Sequence, residues 1–480
     1  MKLTDTLKFF TLVVALLALL CIVYPGDGVT VAGATLRFPS LHRVLAGDRT
    51  VSMDSLLVKK EERDLSGARD SLRYLHEDLF ESQTRFWLPD DDVTFFDRFF
   101  DRAEKARDEQ QVVRVLHYGD SQIEMDRITC RLRERLQQLF GGGGPGLIPL
   151  RQPIPTFSFS QSASGSLVGQ STYGDSTMVR ANGNYGPMLR SWRVAGGATL
   201  SMRASNNRYA AEGVKQFSSI RVLFNNRPGP LSVSMKDRRG GQYSEQVAEA
   251  GIHMVSWQLD SATASATVTL QGAADVYGIM VDNGPGVAVD NISMRGVSGH
   301  QFKMANLDQL QEAYAMMNVG MIIMQFGGNS VPYLKGEKSI SRYCEQMGEQ
   351  IDYVHEACPD AVILFIGPSD MSTMVRGQLA TYPDLPNIVE QLRKMANEHG
   401  AAYWSIYDAM GGQNSMVSWA KNGYAGADYL HFSQKGSDIM GNYICDALQR
   451  MYELYKLRRQ LTTEQFDKLW TTPEPPTTTP

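Results

Sequence analysis

A serine, a histidine and an aspartate have the types and spacing of a nucleophile and its base. Ser121 follows Gly119 and Asp120 directly after a β-rich run, where a tight turn can expose a nucleophilic hydroxyl beside backbone N–H groups. Asp428 precedes His431 by three residues, so its carboxylate can fix the tautomer of the ring while the other ring nitrogen faces the serine. Each signal also has an ordinary explanation, because Asp-Ser is a common helix cap and a lone histidine is more often a surface or core residue.

The same sequence offers donors for a developing oxyanion. The backbone N–H of Ser121, the N–H of Gly299 and the side-chain amide of Asn329 could all donate to it. The alternative for Gly299 is an ordinary turn glycine, and for Asn329 a strand-end turn in the left-handed region. We expect these three groups to form an oxyanion hole.

Strands and helices alternate around these residues. A β-rich run at 112–118 precedes Ser121, and a helix is predicted at about 126–140. Further apolar runs, which alternate with predicted helices, lie at 277–281, 321–326, 362–366 and 402–407. This order predicts an α/β fold with a three-layer, doubly wound parallel sheet, in which ligands bind beyond the carboxyl ends of the strands.

A β-rich segment interrupts this alternation between residues 151 and 274. It is rich in Ser, Gly, Asn and Thr, and short alternating runs such as 219–224 and 266–270 are separated by turn signals. The pattern predicts a β-sandwich inserted within one α/β domain.

In this order, the blocks resemble the SGNH (GDSL-type) hydrolase family. The resemblance rests on Gly119-Asp120-Ser121, Gly299, Gly327-Gly328-Asn329 and Asp428-x-x-His431. It implies a serine esterase that needs no metal or cofactor, with Ser121 as nucleophile, His431 as base and then acid, and Asp428 orienting His431. The oxyanion would be held by Ser121, Gly299 and Asn329. Two departures are visible, since Ser330 follows the asparagine where many members have Asp, and Gln122 stands where many have an apolar residue or His.

An inserted β-sandwich between the first and second blocks is similar to the bacterial peptidoglycan O-acetylesterases, whose insert resembles a carbohydrate-binding module. This narrower resemblance implies an O-acylated glycan as substrate and removal of O-acetyl or similar small acyl groups. Two other functions stay open, a non-catalytic glycan-binding envelope protein and an acyltransferase that uses the same site.

Composition excludes several other classes of protein. The 47 basic and 52 acidic residues give a net charge of −5, whereas a generic nucleic-acid binder would show a basic excess. Five cysteines in 480 residues exclude a disulfide scaffold, and the absence of a CxxC pair argues against a structural zinc site.

The N-terminal residues 1–34 are predicted to be a membrane anchor, with a cleaved export signal as the alternative. Residues 9–24 carry no charge and follow Lys2 and Lys8. Either interpretation places the chain in the periplasm or cell envelope. The remaining predicted segments are a helical extension at 35–110, hydrolase parts at 111–150 and 275–460, the insert at 151–274, and a disordered Pro/Thr-rich tail at 461–480.

Overall fold

The structure is a computed structural model. It describes residues 53–174 and 183–470, together with 29–31, 34–36 and the positions 8, 11–13, 15–17 and 19. The chain divides into two compact units, Met1–Arg73 with Pro473–Pro480 and Tyr74–Thr472. In the first unit, two short strands at 29–31 and 34–36 pair antiparallel. All candidate site residues lie in the second unit.

The elements are numbered here in chain order over the described residues. The strands are β1 (Val29–Val31), β2 (Ala34–Leu36), β3 (Phe86–Trp87), β4 (Val112–Gly119), β5 (Gly146–Ile148), β6 (Phe159–Ser171), β7 (Arg190–Ala204), β8 (Phe217–Asn225), β9 (Leu231–Asp237), β10 (Gln242–Val247), β11 (Ile252–Thr263), β12 (Ser265–Asp282), β13 (Gly286–Ser293), β14 (Val319–Gln325), β15 (Val362–Ile366), β16 (Ser372–Val375), β17 (Gln378–Thr381) and β18 (Ala402–Trp404). The α-helices are α1 (Met53–Glu81), α2 (Asp97–Lys105), α3 (Thr129–Phe140), α4 (Leu307–Met317), α5 (Glu337–Ala357), α6 (Leu385–Glu398), α7 (Ile406–Ala409), α8 (Ser415–Lys421), α9 (Gln434–Gln460) and α10 (Thr463–Trp470).

A six-stranded sheet in the order β13-β4-β14-β15-β18-β3 organises the second unit. The first five strands are parallel, and β3 joins the edge antiparallel to β18. Numbered by their order in the chain, the parallel strands lie in the spatial order 2-1-3-4-5, so the direction of winding reverses between β4 and β14. The predicted doubly wound parallel sheet is therefore confirmed.

Helices cover both faces of this sheet and give it three layers. On one face, α4, α5 and α6 pack against strand side chains such as Leu116, Ile322 and Phe365, and all of these belong to one buried core. On the other face lie α2, α3 and α9. The strands of the centre read as continuous apolar runs because both of their faces are buried.

The strands β5 to β12, which lie between β4 and β13 in the chain, form a second, antiparallel sheet. Its strands follow the order β10-β9-β12-β7-β6, and β8, β11 and β5 join through β12 and β8. Alternating side chains of β7, β8, β9, β11 and β12 share a separate hydrophobic core. The predicted β-rich segment is therefore antiparallel, while its identity as a carbohydrate-binding β-sandwich stays a prediction.

One strand assignment needs correction. The apolar run at 277–281 was expected to be a parallel strand of the α/β domain, with a boundary at 274/275. Instead it is the second half of β12, which crosses that boundary and pairs antiparallel with β8 and β5. Burial alternates in the first half of β12, but every residue from Ala274 to Asp282 is buried, so this half has the sequence pattern of a buried parallel strand. The strand that re-enters the parallel sheet is β13.

The predicted helical extension at 35–110 also reaches into the sheet domain. Residues 86–87 form the edge strand β3, and α2 packs on the sheet. The side chains of Phe96, Phe99 and Phe100 are buried, and the last two contact Phe140 of α3. A strand of two residues is too short to give a periodic signal, which explains why it was missed.

The first part of the predicted tail at 461–480 is helical. Residues Thr463–Trp470 form α10, and Thr462 caps it through its hydroxyl, which accepts from the N–H of Gln465, while the Gln465 side chain accepts from the N–H of Thr462. This reciprocal pair is a capping box. Residues 471–480 lie outside the described residues.

The expected N-terminal anchor or signal falls mostly on residues that the structure does not describe. Within the described positions, no helix is long and apolar enough to cross a bilayer. Cys130, Cys344, Cys358 and Cys445 are buried and unpaired, so they act as small apolar core residues.

Candidate active site

The winding of the sheet reverses between β4 and β14, and polar residues follow the carboxyl ends of both strands. Ser121 comes two residues after β4 ends, and Asn329 follows β14 after a short turn. Gly119 is required for close approach, since a Cβ there would lie 3.1 Å from the carbonyl oxygen of Gln325 on the neighbouring strand. In open α/β sheets, the crevice at such a reversal is where ligands bind.

The three residues of the predicted triad come together in this crevice. Ser121 Oγ lies 2.8 Å from His431 Nε2, and His431 Nδ1 lies 2.8 Å from Asp428 Oδ2. Because an ionised carboxylate only accepts hydrogen bonds, Nδ1 carries the hydrogen, and Nε2 accepts from the serine hydroxyl. The distances are those that a serine nucleophile and its base require.

Asp428 is held as an ionised group. Partial burial raises the pKa of its carboxyl, but hydrogen bonds from the His431 ring and from the backbone N–H groups of His431 and Leu430 outweigh this, and the pKa lies below its ordinary value. Asp428 therefore stays negative at neutral pH and can stabilise an imidazolium.

Gln122 fixes the loop that carries His431, a contact that sequence reasoning did not foresee. Its amide nitrogen donates to the carbonyl of Leu430 at 2.7 Å, and its amide oxygen accepts from the N–H of Phe432 at 3.3 Å. These are the two neighbours of His431 in the chain. Arg127 donates to the carbonyl of Phe432 at 3.2 Å. The unusual residue after Ser121 was noted in the sequence, but its partner lies 308 residues away and no local pattern indicates it.

We expect Gln122→Ala to lower kcat of the esterase reaction described below by about 10-fold to 100-fold with little change in KM, because the loop would hold His431 less precisely against Ser121. The isosteric Gln122→Glu should lose as much, since a carboxylate cannot donate to the Leu430 carbonyl. Gln311→Ala, at an exposed position, is the control. Steady-state kinetics with an acetate ester measure the effect, and an unchanged kcat for both Gln122 variants would contradict it.

Buried Asp120 and half-buried Asn329 form a hydrogen-bonded pair beside the nucleophile. Asp120 accepts from the N–H of Gln122 at 2.9 Å and from the side-chain amide of Asn329 at 3.0 Å. The same amide donates to the carbonyl of Val297 at 3.1 Å. Both of its hydrogens are therefore engaged, and donation to an oxyanion would require Asn329 to release one of them.

Gly299 is another predicted oxyanion donor, and it does not line the cavity beside Ser121. Gly299 is buried, with φ of 101°, and a Cβ there would lie 2.7 Å from the Met347 methyl group, so only glycine fits. Asn329 lines the cavity beside Ser121, but Gly299 does not. The roles of Gly299, Asn329 and the Ser121 N–H in an oxyanion hole stay predictions.

The buried carboxyl of Asp120 makes stability depend on pH. Burial raises its pKa from 3.8 to about 6, so the folded state binds more protons than the unfolded chain between these values, and stability falls as pH rises through this window. We therefore expect the free energy of unfolding of wild type to fall by up to about 3 kcal/mol relative to that of Asp120→Asn as pH rises from about 4 to 7. Most of this change should occur below pH 6. Urea unfolding at several pH values measures the difference, and a constant difference would be the contrary result.

The cavity beside Ser121 is small. Its volume is about 20 Å³, and its walls include Ser369, Ile406 and Leu430 besides the residues already described. A water molecule needs about 10–15 Å³ on this kind of measure. The site as it stands therefore accommodates only a very small group next to the nucleophile.

Other polar residues near the sheet have structural partners. The His117 ring is buried between Gln325 and Thr129, and burial lowers its pKa to about 4. Asp370 accepts from the Thr381 hydroxyl and from the N–H of Met416. Among the residues that the structure describes, no group of His, Cys, Asp and Glu side chains has the arrangement of a metal site.

Comparison with known proteins adds to this geometry. Residues 260–439 match the model of the GDSL-like lipase/acylhydrolase family. This range contains Gly299, Asn329, Asp428 and His431, whereas Ser121 lies outside it and is brought to them by the fold. No curated protein matches the sequence.

Among solved structures, one described as a peptidoglycan O-acetylesterase in action is 21% identical, with a TM-score of 0.58, covering 75% of this chain and 96% of its own. A family two carbohydrate esterase from Clostridium thermocellum is 11% identical, with a TM-score of 0.25, covering 60% of this chain and 99% of its own. The periplasmic domain of a lipopolysaccharide acetyltransferase from Salmonella is 14% identical, with a TM-score of 0.25, covering 34% and 73%. At this identity, the first similarity shows a shared fold.

Proposed function

We propose that this chain is an SGNH-type esterase of the GDSL-like lipase/acylhydrolase family, whose model matches residues 260–439, and that it removes acetyl or similarly small acyl groups from an O-acylated glycan of the cell envelope. The observation that carries the proposal is the hydrogen-bonded chain from Ser121 Oγ through the His431 ring to Asp428, with both links at 2.8 Å.

The proposed reaction has two halves. Ser121 Oγ attacks the acyl carbonyl while its proton passes to His431 Nε2, and the carbonyl oxygen becomes the oxyanion. Collapse of this intermediate breaks the bond to the sugar oxygen, which takes the proton from His431. A water molecule then attacks the acyl-enzyme, and His431 accepts its proton and returns it to Ser121. Asp428 stabilises the imidazolium in both halves.

The size of the cavity supports a small acyl group. The cavity of about 20 Å³ beside Ser121 has room for a small acyl group and is too small to enclose a long aliphatic chain. We expect kcat/KM for 4-nitrophenyl esters to fall by about 10-fold or more from acetate to butyrate, because each further methylene would have to displace packed side chains. Rates across a series of acyl lengths measure this, and a butyrate rate equal to the acetate rate is the opposite result.

Three observations support the glycan substrate and the envelope location. The solved peptidoglycan O-acetylesterase shares the fold of this chain over most of both proteins. The antiparallel sheet adjoins the esterase domain and presents exposed Ser and Thr hydroxyls, for example at Ser201 and Thr267. Such a surface suits a polar polymer, and an uncharged run at residues 9–24 agrees with export.

The central experiment compares wild type with Ser121→Ala. Wild type should hydrolyse 4-nitrophenyl acetate and release acetate from acetylated glycan, and a fluorophosphonate should label it at Ser121. Ser121→Ala should lose both properties, while the exposed control Ser166→Ala should keep them. Equal turnover by wild type and Ser121→Ala would overturn the proposal. Adding acceptor oligosaccharides tests acyl transfer in the same assay.

A further inference from the structure

A second cavity adjoins the one that contains Ser121. It measures about 800 Å³ and lies between the loop that includes Gly296, Ser298 and His300 and the segment from Tyr333 to the first turns of α5. Asn329 lines both cavities, so the two adjoin at this residue. Its size is in the range of small-molecule sites, whereas the cavity at Ser121 holds little more than one water molecule.

The larger cavity carries a strong positive charge. Lys335, Lys338 and Arg342 line it, and all three are exposed. None of the described residues that line it is Asp or Glu. Within the described part of the chain, the three cations form no ion pair with a carboxylate. We call this cavity the cationic groove, and its three cations stand out in a chain whose net charge is −5.

The acidic residue closest in sequence does not neutralise these cations. Glu337 lies between Lys335 and Lys338 in the chain, but its carboxylate accepts hydrogen bonds from Asn387 and Gln391 of α6. Its carboxylate is thus engaged with α6 and forms no ion pair with the three cations, which remain open to a ligand. Exposed cations that have no protein partner can attract an anionic group and orient it.

The walls of the groove also offer contacts for a sugar. Tyr333 lines the groove and is 82% exposed, so its ring can stack on the apolar face of a pyranose. His300 also lines the groove. Tyr343 donates to the carbonyl of Ser298 at 2.8 Å, which ties the two walls together.

We propose that the cationic groove binds the carboxylate-bearing part of an acidic glycan whose acylated hydroxyl lies at Ser121. The carboxylate contacts Lys335, Lys338 and Arg342, and a sugar ring packs on Tyr333. This inference rests on the proposed function and deepens it, because it assigns the charge of the substrate. A sulfated glycan offers related chemistry, and the test separates it from a carboxylated one.

The test compares three acetylated substrates of similar length. They are an oligogalacturonide with free carboxylates, its neutral methyl-esterified form, and a sulfated oligosaccharide that has no carboxylates. The triple variant Lys335→Ala, Lys338→Ala, Arg342→Ala should raise KM for the carboxylated substrate about 10-fold, since each exposed charge pair contributes modestly. Its kcat, and its rate with 4-nitrophenyl acetate, should not change. Added salt should raise the wild-type KM and affect the variant much less.

A matched triple variant removes three exposed cations elsewhere, Lys421→Ala, Lys456→Ala and Lys468→Ala, and should behave as wild type. Equal KM values for the carboxylated and neutral substrates in wild type overturn the groove proposal while leaving the esterase intact. A preference for the sulfated substrate overturns the assignment of a carboxylate. Failure of wild type to hydrolyse 4-nitrophenyl acetate would instead count against the proposed function itself.

Discussion

Replacing His431 with alanine should lower kcat for hydrolysis of an acetate ester by about 10⁴-fold or more, while the fold stays intact. The ring is the only group seen to contact the Ser121 hydroxyl among the described residues, at 2.8 Å, and without it the serine has no base. The His431 side chain is about one-third exposed (32%), so its removal leaves no large buried cavity. Steady-state kinetics and circular dichroism measure the two parts of this expectation.

Asp428→Asn should have an effect of similar size, about 10⁴-fold on kcat, because an amide no longer holds Nδ1 protonated. The chain contains a matched control: His399 Nδ1 lies 2.8 Å from Asp352 Oδ1, with no part in the site. His399→Ala should keep the wild-type rate. If His431→Ala retained more than about a tenth of the wild-type rate, the triad assignment would be wrong.

Replacing Arg114 with methionine should lower the free energy of unfolding by about 3–5 kcal/mol. Arg114 is fully buried on β4, and it donates to Asp290 on β13 at 2.6 and 2.7 Å and to Asp282 on β12 at 2.9 and 3.1 Å. Methionine fills similar space but leaves these two buried carboxylates without their shared partner.

Urea unfolding monitored by fluorescence measures the loss. The control Arg459→Met removes an exposed ion pair with Glu104 and should leave the free energy of unfolding nearly unchanged. A loss at Arg114 no larger than the control would show that the buried ion network contributes little to stability.

The sequence predicted the fold, and it indicated the residues of the proposed triad, because both signals are local. Ser121 and Asn329 directly follow apolar runs, and the run-then-turn pattern places both at the carboxyl edge of a parallel sheet. The three-residue spacing of Asp428 and His431 carries the orienting hydrogen bond within one loop. The distance between Ser121 and His431 could only be inferred, since 310 residues separate them in the chain.

The features that were missed depend on partners far away in sequence. The bonds of Gln122 to the His431 loop and of Asn329 to Asp120 are tertiary contacts, and nothing in the neighbouring residues indicates them. The second half of β12 was assigned to the wrong sheet because burial on both faces gives the same apolar run in either sheet. The edge strand β3 has only two residues, too few for a pattern.

The placement of β4 has a consequence for how the chain is synthesised. This strand leads directly to the nucleophile Ser121. Both of its neighbours, β13 and β14, are translated only after the whole antiparallel segment. Until then the backbone N–H and C=O groups along both of its edges have no partner strand, which exposes it to premature association and to chaperone binding. The polypeptide gains an assembled reaction centre only when the C-terminal His431 loop emerges, and so a ribosome-bound or truncated chain would be catalytically silent.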